Sequence, residues 1–167
     1  MKKILVGSLL LGLLTTVGVW ADEKENEKEK AETEAITKCH ADFMAAWNKH
    51  DAKAVAAFWS PKGDLIDPWG VRAKGTAEIE KFFAGQFAGA MKTSVYSGKI
   101  VDIIFPKAEI AVVNVEAEVS GMVGADGKDI PAFKHHVTWF AYKRGEHWVA
   151  IAARPVAYPP MPAAPAK

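Results

Sequence analysis

The sequence predicts an α+β domain in which a curved, cone-shaped antiparallel sheet packs on about three N-terminal helices. Three observations carry this expectation. Apolar residues between Ile36 and Phe87 recur at helical spacing, and beyond Met91 the period falls towards two. The long alternating runs that follow are joined by short turns at Pro106-Lys107, Gly124-Ala125-Asp126-Gly127 and Arg144-Gly145-Glu146.

The chain opens on a segment with the pattern of a signal peptide over residues 1–21. Lys2 and Lys3 supply positive charge, Ile4 to Val19 are largely apolar, and Val19-Trp20-Ala21 offers a cleavage site before Asp22. The apolar run is short for a membrane span, which needs about 20 residues. A periplasmic or secreted protein with no membrane attachment after cleavage is therefore expected. Cleavage removes two of the 21 basic residues and leaves 19 against 20 acidic ones. That balance lacks the basic footprint of a nucleic-acid binder. Cys39 is the only cysteine, so an intramolecular disulfide is excluded and the core must hold the fold.

Residues 22–34 form a charge run, with seven acids and three lysines, that suits a linker or the solvated first turns of a helix. The domain proper is expected over 35–157. Ile36, Cys39, Phe43 and Trp47 make the buried stripe of a first helix ending near His50. Asp51 caps a second, Ala52 to Trp59, stopped by Pro61 and Gly63; Asp64 to Asp67 is extended. Thr76 is expected to cap a third helix with Ile79, Phe82, Phe83 and Phe87 facing inward. Four strands follow, at Ser94–Phe105, Glu109–Val123, Ala132–Lys143 and His147–Val156. Residues 158–167 are rich in Pro and Ala and are predicted to be disordered.

Several segments in order carry a resemblance: Ala46-Trp47-Asn48-Lys49-His50-Asp51-Ala52, Phe58-Trp59, Asp67-Pro68-Trp69-Gly70, Gly75-Thr76-Ala77-Glu78-Ile79, and the last hairpin from His136 through Trp148. Together they resemble the nuclear transport factor 2-like superfamily over Ile36 to Val156, with the SnoaL-like and SgcJ/EcaC branches most similar. The resemblance implies three helices on a bent sheet, an apolar pocket and often a homodimer. Superfamily members include isomerases, cyclases and dehydratases as well as binding and assembly modules, so the fold leaves function open. The oxidoreductase label of the SgcJ/EcaC branch has no dinucleotide fingerprint or cofactor lysine to support it in this sequence, and no cofactor is expected.

By the same resemblance, Asp67 falls where ketosteroid isomerases hold their general base. Their oxyanion tyrosine falls on Phe43 and their protonated aspartate near Thr138, which leaves an enolate without its paired donors. Asp67 is thus the leading candidate base, against the plain alternative of a turn aspartate bonding local amides. His135 and His136 are adjacent on a strand and point to opposite faces, so one of them is a candidate to face the cavity and relay a proton. The plain and preferred alternative is a satisfied wall histidine or a dimer contact, and no metal site is expected. Trp47, Phe58, Trp59, Trp69, Phe83, Phe87 and Trp139 are the candidate ligand-binding residues, each equally suited to filling a core. Glu116 and Glu118 read as an outer face, Arg154 as an ion-pair residue with Glu116 one available partner, and Cys39 as a buried inert thiol.

Three functions remain open. They are a module binding a small apolar or aromatic molecule, a cofactor-free isomerase, cyclase or dehydratase based on Asp67, and a homodimeric assembly domain.

Overall fold

A computed structural model of the chain describes residues 14–158. The predicted signal segment lies outside the described residues up to Leu13, and the predicted disordered tail lies outside them from 159 onward. The described chain falls into two units divided after Glu34. The first is helical throughout and forms the opening part of helix α1 (Leu14–Asn48). The charge run 22–34 is therefore helix. Glu25 with Lys28 and Glu27 with Lys30 stand three residues apart, a spacing at which opposite charges support a helix.

In the second unit, the rest of α1 buries Ile36, Phe43 and Trp47, the stripe that the periodicity marks. The helix stops before His50, whose φ of 52° is left-handed. That strained backbone is secured by the imidazole, which hydrogen-bonds the Ser94 carbonyl at 3.1 Å and packs edge-on to Phe87. Asp51 then caps helix α2 (Ala52–Ala56), its side chain accepting from the Ala54 amide at 2.9 Å.

Helix α2 is shorter than expected. Trp59 belongs instead to strand β1 (Trp59–Ile66), which lies parallel to the last strand of the sheet. Backbone pairing with a segment some ninety residues away, opening with the Ala150 amide on the Phe58 carbonyl at 2.8 Å, overrides the local helical spacing. Between Trp59 and Asp64 the register shifts, which accommodates Pro61 inside the strand. Gly63 sits in this irregularity, and a Cβ there would lie 2.8 Å from the Ala150 carbonyl oxygen.

Strand β2 (Arg72–Lys74) pairs antiparallel with β1 and leads into helix α3 (Gly75–Ala88). The expected Thr76 cap is corrected: Lys74 occupies the cap position without a side-chain bond, and the Glu78 carboxylate accepts from the Lys74 amide at 2.9 Å. An acidic residue in the first turn complements the positive helix end and answers an unpaired amide there. Ile79, Phe83 and Phe87 are buried as predicted.

The meander comprises β3 (Val95–Lys107), β4 (Ile110–Ser120), β7 (Phe133–Arg144) and β8 (His147–Ala157), all antiparallel. The sheet order is β2-β1-β8-β7-β4-β3. The second predicted strand divides at Gly121, where φ is +67° and a Cβ would sit 2.5 Å from the Thr93 carbonyl oxygen. Beyond it, β5 (Met122–Val123) pairs separately with β6 (Asp129–Ile130). Alternation sends Val113, Val115, Ala117 and Val119 inward from β4, and His135, Val137, Trp139 and Ala141 inward from β7. Phe43 is the hub of the core, with the rings of Phe58, Trp59, Tyr96 and Trp139 between 5.4 and 6.1 Å away.

Candidate functional site

Between α1, α3 and the inner face of the sheet the aromatic core leaves a cavity of about 70 Å3. Ligand pockets commonly run from about 300 Å3 upward, so the side chains fill most of the cone. Of the predicted lining residues, Trp47, Trp59, Trp69, Phe83 and Trp139 border the cavity. Phe58 and Phe87 do not. Phe58 lies beyond Phe43 and Trp59, on a separate void of about 20 Å3 shared with Ile36 and Cys39. Phe87 packs behind Trp47 and against His50, at ring separations of 5.5 and 5.1 Å. Trp69 is 63 % exposed and marks the mouth of the cavity, its ring 5.9 Å from Phe133.

Asp67 borders the cavity directly after β1 and is only 8 % exposed. Its Oδ1 accepts two backbone amides, from Trp69 at 2.9 Å and from Val71 at 2.7 Å. Its own amide donates to the Val71 carbonyl, closing the loop. Pro68 holds Asp67 extended at the start of this turn, and Gly70 supplies the left-handed residue at φ +84°. The turn role and the cavity position thus coincide in one side chain, divided between its oxygens. Oδ2 makes no hydrogen bond to any described residue.

Strand register separates the histidines. His135 faces the cavity with Val137 and Trp139. His136 is removed from the candidate site: it lies on the outer face, 3.3 Å from the Asn114 carboxamide oxygen, which also accepts from Thr138 at 3.0 Å. Thr138 therefore supplies no donor to the cavity, and its inward neighbours Val137 and Trp139 offer none in its place beyond the indole. His135 is 4 % exposed, and its Nδ1 is buried without a partner. Burial pushes its pKa down to about 4, against a weaker pull from the Phe133 backbone and with the neighbouring His136 adding to the fall. At neutral pH the ring is an uncharged member of the wall.

Tyr96 is the site residue that sequence reasoning misses. Its ring lies 5.9 Å from His135 and 4.9 Å from Trp47, and it borders the cavity. Burial raises its pKa, so the phenol stays protonated, and its hydroxyl has no partner among the described residues. The available signal was alternation along β3, which turns Tyr96 inward and Val95 outward.

The charged residues nearby are engaged elsewhere. Arg154 bonds Asp64 at 2.8 Å rather than Glu116, and Arg72 bonds the other Asp64 oxygen at 2.7 Å. Desolvation alone would raise the Asp64 pKa, but the two guanidiniums outweigh it and hold it below the usual range. No Lys or Arg borders the cavity among the described residues. Cys39 donates weakly to the Trp148 carbonyl at 3.7 Å, and burial pushes its thiol to about 11, which leaves it unreactive. Among the described residues no cluster of three or more His, Cys, Asp or Glu side chains is placed to hold a metal ion, and no helix is long and apolar enough to cross a membrane.

Solved structures similar to this chain share its fold. A ketosteroid isomerase-like protein from Erwinia carotovora atroseptica aligns with a TM-score of 0.65 at 17 % identity, over 75 % of this chain and 95 % of its own. A type 2 hexachlorocyclohexane dehydrochlorinase aligns with a TM-score of 0.72 at 14 % identity, over 84 % and 95 %. A putative scytalone dehydratase from Novosphingobium aromaticivorans aligns with a TM-score of 0.67 at 14 % identity, over 80 % and 88 %. No curated protein matches the sequence. At these identities the likeness establishes the cystatin-like, nuclear transport factor 2-like fold and leaves chemistry to the site itself. The SgcJ/EcaC branch is not singled out by these similarities. Residues 40–151, which carry Phe43 and Trp47 of α1, the Asp67 loop and most of the sheet, match the SnoaL-like domain, and the chain belongs to that family.

Proposed function

We propose that this protein is an exported SnoaL-like module that holds a small hydrophobic or aromatic molecule in its cone. The observation that carries the reading is the cavity bordered by Trp47, Trp59, Trp69 and Trp139, with the polar residues Asp67, Tyr96 and His135 on the same border. A core that served packing alone would gain from an apolar residue in place of His135, whose Nδ1 is buried without a partner, because such a group costs stability. Export rests on the pattern of residues 1–21 and predicts a mature N-terminus at Asp22 in the periplasm or medium.

Native mass spectrometry of the protein from its own periplasm or culture medium tests the reading. A retained small molecule supports it and identifies the ligand. A protein that arrives empty and takes up no aromatic compound in solution removes it.

A second reading, proton transfer by Asp67, is favoured by the free Oδ2. With Oδ1 fixed by two amides, the carboxylate is held in place and Oδ2 is left unbonded, as a general base requires. Isomerase or lyase chemistry then follows without a cofactor. Its test is deuterium uptake into the retained molecule in heavy water. Asp67→Asn should abolish the uptake while keeping the loop bonds to Oδ1, and unchanged uptake in that variant ends this reading.

A homodimer through the outer sheet face accompanies either reading. Ile104 and Phe140 are exposed in the same row across β3 and β7, and farther along the same face Lys99 stands opposite Glu116 and Glu118 opposite Lys134. A patch carrying both charges in this order can meet a copy of itself about a two-fold axis with opposite signs facing.

A further inference from the structure

The proposed pocket carries an inventory of hydrogen-bonding atoms that restricts its occupant. Three polar side chains border the cavity: His135 and Tyr96, whose rings lie 5.9 Å apart, and Asp67 in its loop. Asp67 offers Oδ2 as an acceptor, Tyr96 offers a hydroxyl that both donates and accepts, and His135 offers Nδ1, which is buried without a partner. None of the three atoms has a partner among the described residues. The rings form a continuous series inward from the mouth: Trp69 to Phe133 at 5.9 Å, Phe133 to His135 at 5.3 Å, and His135 to Tyr96 at 5.9 Å.

Charge is the second restriction. The Arg72 and Arg154 guanidiniums are spent on Asp64, and His135 is neutral at physiological pH because burial disfavours its cation. An anion entering the cone would lose its hydration with no positive group to replace it, and it would meet Asp67 besides. Size is the third. A cavity of about 70 Å3 is roughly half of an apolar cavity known to admit benzene, so one ring fits only with part of it resting at the Trp69 mouth.

We infer that the cavity selects a neutral, single-ring molecule carrying a hydroxyl group, bonded by Asp67 and Tyr96, and turns carboxylates away. The inference rests on the binding reading above and narrows its ligand class. A hydroxyl donates and accepts at once, so it satisfies the Asp67 acceptor and either the Tyr96 hydroxyl or either tautomer of His135. A plain hydrocarbon satisfies none of them.

The test is titration of the full chain with phenol, toluene and benzoate, followed by tryptophan fluorescence and by calorimetry. Phenol should bind about tenfold or more tightly than toluene, the factor a well-placed hydrogen bond supplies, and benzoate should show no binding at concentrations that saturate with phenol. Tyr96→Phe should weaken phenol at least about fivefold and leave toluene nearly unchanged, with a thermal melt confirming that the variant is folded. Equal binding of phenol and toluene by the unmodified chain, or benzoate binding as tightly as phenol, overturns the selection while the apolar pocket stands. Failure of both phenol and toluene to bind overturns the selection together with the binding reading.

Discussion

The two oxygens of Asp67 have different surroundings, and substitution separates them. Asp67→Ala leaves the Trp69 and Val71 amides without an acceptor and should cost about 1–3 kcal/mol in urea unfolding, whereas Asp67→Asn keeps an oxygen for them and should cost under about 1 kcal/mol. Equal losses in the two variants would remove the loop role. His135 carries a pH consequence. Its pKa is 6.5 in the unfolded chain and about 4 in the fold, so protons bind preferentially to the unfolded state. The stability contributed by the neutral ring is complete above pH 6.5 and is lost as pH falls towards 4. Buried His40 shifts in the same direction. The urea midpoint should therefore fall between pH 7 and pH 4.5, and His135→Phe should flatten part of that slope; an unaltered slope would exonerate His135. At this scale Asp67 was legible because a Pro and a Gly follow it at turn spacing. The choice between His135 and His136 was not, because a one-residue change of register exchanges the faces of a strand. Tyr96 was hidden by the same ambiguity, and Phe58 and Phe87 because helical spacing marks burial but not which side of the core a ring reaches.

Among the elements, the join between β1 and β8 is the most exacting. Gly63→Ala places a Cβ 2.8 Å from the Ala150 carbonyl oxygen, a backbone atom of the neighbouring strand that cannot turn aside. The variant should lose more than about 1 kcal/mol, while Gly127→Ala, at φ +79° in open space, should pay only for its backbone conformation. Thermal melts of the two compare a steric with a conformational cost, and parity between them would contradict the tight approach. The meander was readable because period-two patterning and turn residues are local signals. The first half of strand β1 was not, although Asp64 to Ile66 was read as extended, since Trp59 and Ser60 become extended only through a partner far along the chain. The α3 cap was misassigned for a related reason: Thr76 has the right chemistry, but Glu78 reaches the orphan amide first.

At the scale of the molecule, one face of the sheet holds the cavity, and the homodimer proposed above uses the other. Phe140→Glu introduces a charge on the outer face, where Phe140 is 40 % exposed, and should convert a dimer to a monomer in light scattering without altering ligand uptake. A monomer before substitution would dismiss the dimer outright. The fold class followed from element order alone, helices then strands, which leaves few ways to bury both apolar faces. The parallel placement of β1 beside β8 has one more consequence, in the order of synthesis. The last strand to be made, His147–Ala157, lies inside the sheet between β1 and β7. While the chain is growing, the β1–β2 pair has no strand to join it to the meander, and the cone has no wall on that side. Closure waits for the final residues of the domain, so the nascent domain stays open until β8 has been made.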